Sequence, residues 1–192
     1  MSLIRNLLAL IGLVSVVVIA LATVELKDKL QGFDEGAAQV YMDLGTKLLE
    51  TKNSAEATVL KIPVEEGVSV EDVEEAMLAV AIEHSISNVG ILPLSEDIAA
   101  KTGKPHRYVK IFMFCRSTTA GQMLEYSDAF SAYLPCRVTL IEDKQGKLWL
   151  YSMDMDMMIY GGEALAPELK KAALGVQNTI KDIMTRGAEG DF

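Results

Sequence analysis

Residues 7–24 carry no charge, and beyond them short apolar stripes recur among charged positions at two distinct spacings. Eighteen helical residues rise about 27 Å, close to the hydrocarbon thickness of a bilayer. Leu3 and Ile4 extend the run, so residues 3–24 are expected to form a transmembrane anchor. A cleaved signal peptide is the rival reading, because Arg5 gives a basic start and Ala20-Leu21-Ala22 has the small-x-small form that a signal peptidase accepts. The apolar run is longer than the usual signal core of about 7 to 15 residues, which favours the anchor. A short basic head before a long domain places that head in the cytoplasm, so the remainder is expected to be periplasmic or extracytoplasmic.

Residues 25–56 read as a linker with an amphipathic helix, since Ala37, Val40, Tyr41, Leu44, Leu48 and Leu49 recur at helical spacing beside Asp43, Lys47 and Glu50. Residues 58–64 alternate as a short strand, and Pro63 favours a place at a sheet edge. Ser69 and Asp72 resemble a capping box with a shortened acid, before a helix over 70–85 that carries Val70, Val73, Met77 and Val80. A brief strand over 89–94 and a short helix capped by Ser95 and closed by Gly103 come next. Residues 108–115 form an apolar strand, and a helix starting at Thr118 or Thr119 runs through Met123, Leu124, Phe130 and Tyr133 to Pro135. A hairpin over 137–153 has its tip at Asp143 to Lys147, and a last helix begins at Ala164 or Pro167 and ends near Arg186.

This order predicts an α/β (α+β) fold: one mixed sheet with helices on one or both faces, in a single domain over residues 57–186 with a loose tail at 187–192. Acidic side chains number 27 against 18 basic, for a formal charge of -9. Such a surface repels phosphate backbones and anionic headgroups, so nucleic acid is not an expected partner and contact with lipid falls to residues 3–24.

Phe112-Met113-Phe114-Cys115-Arg116, then Met123-Leu124, then Leu134-Pro135-Cys136-Arg137-Val138, then Ile141-Glu142-Asp143 and Gly146-Lys147-Leu148-Trp149 stand in an order that resembles the domain of unknown function 302 family. The likeness covers roughly residues 57–184. Family members tend to follow an apolar strand end with Gly-Asn-Pro, where this chain has Cys115-Arg116-Ser117. The resemblance implies a compact α/β domain that is often dimeric, which adds a homodimer to the expected partners. It implies no established reaction and supplies no catalytic residues.

Candidate chemistry centres on sulfur. Strand alternation through Met153-Asp154-Met155-Asp156-Met157 would set Met153, Met155 and Met157 on one face, and thioethers suit monovalent copper. Cys115, Cys136, His84 and His106 are further candidate ligands, although methionine is more often a flexible core filler. With a parallel crossover between their strands, Cys115 and Cys136 would lie at opposite sheet edges, beyond the Cα separation of under about 7 Å that a disulfide needs, as two free, largely buried thiols. Neither histidine has a metal or catalytic partner at short spacing, and the chain shows no P-loop, nucleophile elbow or haem-attachment motif. The expected function is a non-catalytic, membrane-anchored accessory or assembly subunit packed on a larger integral membrane complex, with no cofactor. The alternatives are a periplasmic small-ligand or copper-binding module using the Met153 to Met158 segment, and an enzyme using Cys115 or Cys136, which would need an exposed thiol of low pKa.

Overall fold

The computed structural model describes residues 2–191. Helix α1 (Ser2–Lys29) is long and apolar enough to cross a membrane, its most apolar 18-residue stretch having a mean hydropathy of 2.9 with none of the described residues there buried against protein. Helices α2 (Ala37–Thr51) and α3 (Ser54–Ala57) lead into β1 (Val59–Pro63), α4 (Val70–Glu83), β2 (Ser87–Leu92), α5 (Leu94–Thr102) and β3 (Val109–Cys115). Then come α6 (Ser117–Tyr126), a 3-10 turn (Asp128–Tyr133), β4 (Cys136–Glu142), β5 (Leu148–Met153), α7 (Asp156–Tyr160) and α8 (Pro167–Glu189).

The five strands form one sheet in the order β1-β5-β4-β3-β2, and every neighbouring pair runs antiparallel. The α/β architecture with one sheet and packing helices is as the pattern predicts, but the sheet is not mixed. The parallel crossover fails at Ser127, where the expected long helix breaks: its hydroxyl accepts from Ala129 N, and the 3-10 turn carries the chain back to the end of the sheet it left. β3 and β4 are therefore antiparallel neighbours, with Phe114 opposite Cys136.

Period-two burial along the strands sends Phe112, Phe114, Val138, Leu140 and Leu150 to one face, where they meet Val73, Met77 and Val80 of α4 and Ile180, Ile183 and Met184 of α8. Each such fully buried side chain contributes about 1.5 to 3 kcal/mol. The opposite face keeps Ile111, Met113, Ile141, Trp149 and Tyr151 half-exposed.

Local chemistry sets the element ends. Ser69 Oγ accepts from Asp72 N at 3.1 Å, and Asp72 returns the bond to Ser69 N at 3.0 Å, completing the expected capping box. Asp143 accepts from the backbone of Gln145 and Lys147 and from Trp149 Nε1, and Gly146 takes the φ of +83° that closes the hairpin tip. Ser95 does not cap α5, whose N-cap is Pro93; its hydroxyl donates to Val109 O instead.

The tail is not loose from 187 onward. α8 continues to Glu189, Gly187 and Ala188 are buried, and Glu65 N donates to Ala188 O. At Gly187 a Cβ would stand 2.6 Å from Met77 Cγ, so glycine there lets α8 approach α4 closely. Sheet edges fall to β1, which ends in Pro63 as expected of an edge strand, and to β2, whose pairing slips between Asn88 and Gly90 in a bulge.

Candidate functional site

The linker helix is tied to the domain at its start. Asp34 N donates to Gly162 O, Ala164 N donates to Gly32 O, and Tyr41 Oη donates to Gly161 O at 2.6 Å. The Asp34 carboxylate, only 6% exposed, accepts from Gly36 N and pairs with Lys170 of α8. The Lys170 bond is the main reason its pKa lies below the ordinary 3.8. Residues 25–56 are thus more than a spacer, because α2 is seated against α7 and the 161–164 loop.

That seating leaves a cleft of about 540 Å³ between α2, the 3-10 turn, α7 and the loop. Asp43, Asp154, Asp156 and Glu163 line it against a single ammonium, Lys47, which pairs with Asp154 at 3.2 Å. A lining of this sign attracts cations and repels phosphates. Val40, Leu44, Phe130 and Met157 add an apolar wall.

A second, much smaller cavity of about 40 Å³ lies where β3 ends and β4 begins. Cys115, Cys136, Met123, Met155 and Met158 all line it, and Arg116 is its only charged lining residue. The two cysteines are free, and instead of lying at opposite sheet edges they stand on adjacent strands: Cys136 faces Phe114, the residue before Cys115, so strand alternation sends the Cys115 side chain to the other face of the sheet. Burial, and then the proximity of Cys115, push the Cys136 thiol up to about 11. A raised pKa of this kind keeps the Cys136 thiol protonated at neutral pH and gives a nucleophilic role for Cys136 no support.

The profile of the domain of unknown function DUF302 matches residues 60–187, two thirds of the chain. The chain belongs to that family. Its fold is also similar to the crystal structure of an uncharacterized conserved DUF302 protein from Bacillus stearothermophilus, with a TM-score of 0.54 and 15% identity over 67% of this chain and 97% of that one. No curated protein matches the chain.

Within the DUF302 domain the methionine segment is not a strand. β5 stops at Met153, because Asp154 Oδ1 accepts from Asp156 N at 3.1 Å and Asp156 accepts from Gln177 at 2.6 Å, turning the chain into α7. Met153, Met155 and Met157 therefore do not share a face. Met155 is buried beside Cys136, Met157 is exposed on the open cleft, and Met153 lines the cleft and the neighbouring sheet face. The structure thus brings together Met155, Cys115 and Cys136 from the sequence candidates, and adds Met123 and Met158. Spacing alone gave no reason to join those two, although Met123 is an apolar position on the helix that follows the cysteine-bearing end of β3.

His84 gains a partner distant in sequence, with Nε2 2.6 Å from Asp182 Oδ2, while Arg116 donates to the His84 carbonyl. His106 lies in an exposed loop with its ring against the Arg107 carbonyl. Among the described residues no three His, Cys, Asp or Glu side chains gather as a metal group. Tyr108 donates to Glu74 beneath the helix start, and burial, followed by that bond, raises its pKa.

Proposed function

We propose that this DUF302 domain is a non-catalytic, membrane-anchored accessory subunit that docks on a larger integral membrane protein through the outer face of α2. The observation that carries it is a second apolar stripe on that helix: Ala38, Met42, Gly45 and Leu49 recur at intervals of four, three and four, and Leu49 is 80% exposed. Leu48 and Tyr41 flank the stripe and are also exposed. A small-large alternation at this spacing is the seam by which one helix lies along another. The stripe begins a few residues after the apolar helix and is fixed to the domain through Asp34 and Tyr41, so a partner held there would meet anchor and domain as one unit.

Placing a photo-crosslinking residue at position 49 in native membranes tests this. The expected result is an adduct with one integral membrane protein, absent when the probe sits at Lys61 on the edge strand β1. Adducts with lipid alone, or none, would overturn the reading. Met42→Glu with Leu49→Glu should release the partner while leaving the domain folded.

A further inference from the structure

We propose that the cleft between α2, the 3-10 turn and α7 binds a linear aliphatic polyamine, whose ammonium groups pair with Asp43, Asp156 and Glu163 and whose methylene chain lies along Tyr126, Phe130 and Tyr133. At about 540 Å³ the cleft falls in the range of about 300 to 1,000 Å³ typical of small-molecule sites. Its lining combines carboxylates with aromatic rings, the two surfaces that an alkylammonium ligand needs.

Charge sets the ligand class. Lys47 neutralises Asp154, and among the described residues no cation pairs with Asp43, Asp156 or Glu163. Neutral amides hold two of these instead: Gln39 donates to Asp43 at 2.7 Å, and Gln177, only 4% exposed, donates to Asp156 at 2.6 Å. An amide fixes the position of a carboxylate and leaves its charge in place, so the cleft keeps a negative excess after its own lysine is counted. The three carboxylates stand on different walls, Asp43 on α2, Asp156 on α7 and Glu163 in the 161–164 loop. Among the described residues no three acidic side chains converge as a metal ion requires, so a compact divalent cation is poorly matched. Ammonium groups spaced along a flexible chain match carboxylates that share a cleft without meeting.

The aromatic wall fits the spacers between those groups. Tyr126, Phe130 and Tyr133 form a row with ring centroids 6.0 and 6.3 Å apart, and Tyr126 and Tyr133 are 43% and 44% exposed. Methylenes laid on these rings remove apolar surface from water, and the ring faces attract the neighbouring ammonium. Lys47 shows the same mode within the protein: one turn after Asp43, its four-carbon stem lines the cleft and its ammonium ends 3.2 Å from Asp154. The site uses the inner face of α2, through Val40, Asp43, Leu44 and Lys47, and needs no partner protein, so it stands apart from the docking reading.

The test is a calorimetric titration of the purified full chain with spermidine, in a mild uncharged detergent at about 0.15 M salt, where diffuse surface attraction is screened. One spermidine should bind per chain, and magnesium at equal charge should not displace it. Asp43→Asn with Glu163→Gln should weaken binding at least about tenfold, and Tyr126→Leu with Tyr133→Leu about fivefold. Lys47→Met keeps the stem and frees Asp154, so it should tighten binding about threefold. Glu35→Gln with Glu50→Gln removes the same two charges outside the cleft and should change binding less than about twofold. All of these side chains are at least partly exposed, so the variants keep the fold. No binding, displacement by magnesium, equal weakening by the two charge pairs, or weaker binding by Lys47→Met would each overturn the site.

Discussion

On one side of a wall formed by Phe130, Tyr133 and Met158 lies a cleft of about 540 Å³ with four carboxylates; on the other lies a cavity of about 40 Å³ lined by two thiols and three thioethers. The cleft arises because α2, outside the family-matched region, is tied across the 161–164 loop, so its size depends on a few hydrogen bonds and one buried ion pair. The cavity arises inside the domain, where two strands end and two helices start, and its walls are core side chains. Residues of one type consequently face different demands: Met155 sits in the tight hollow at 7% exposure, and Met157 sits two positions on at 38%.

The sharpest way to separate the two hollows is the same truncation on each side. Met155→Ala should destabilise the domain by about 2 to 5 kcal/mol, because the surrounding core cannot collapse onto the lost side chain. Chemical denaturation measures this, and a loss as small as a surface substitution gives would mean that the cavity wall is not core.

Next in size is thiol reactivity. With its pKa pushed up to about 11 from 9.0, Cys136 should alkylate about 100-fold more slowly at neutral pH than an ordinary free thiol. Mass-spectrometric labelling across pH should show its rate still climbing above pH 9, and labelling complete at pH 7 within the time of a free thiol control would contradict its burial.

Asp34→Asn acts on the cleft alone, leaving Lys170 without its carboxylate at a cost of about 1 to 3 kcal/mol. Because the folded Asp34 pKa is depressed, its contribution is present in full above the ordinary value of 3.8 and is lost as pH falls through the lower, folded value. Wild type and Asp34→Asn should therefore differ most at neutral pH and converge in strong acid; a gap that persists there would assign the effect to packing. Met157→Ala closes the series, with an expected change within about 0.5 kcal/mol, since an exposed rim side chain leaves no cavity behind.

Features written into a few adjacent residues were legible from the chain. Ser69 and Asp72 declare a helix start, Asp143 to Lys147 a hairpin tip, and Pro63 an edge strand, because each depends on neighbours within a few positions. The misread elements turn on partners far away. Met153 to Met157 has a good strand alternation, yet Asp156 is claimed by Gln177 of α8, and the alternation yields to a helix. Cys115 and Cys136 look distant because nothing between them announces that Ser127 reverses the chain. The sulfur cavity was therefore half visible: its residue types stood out, whereas the subset that meets depended on strand direction. His84 is a similar case, since Asp182 lies 98 positions away.

The bulge between Asn88 and Gly90 and the closing Pro63 of β1 bear on how many copies of this chain can live side by side. If α1 holds copies in one bilayer, as the accessory reading requires, their domains share a thin layer at high local concentration. An open, regular strand edge is there an invitation to polymerise, each sheet extending the next. One edge of this sheet ends in a residue with no amide hydrogen to offer, and the other is kinked out of register, with Val89 left facing solvent. Crowding along a membrane should then yield separate molecules, or pairs joined face to face, in place of ribbons.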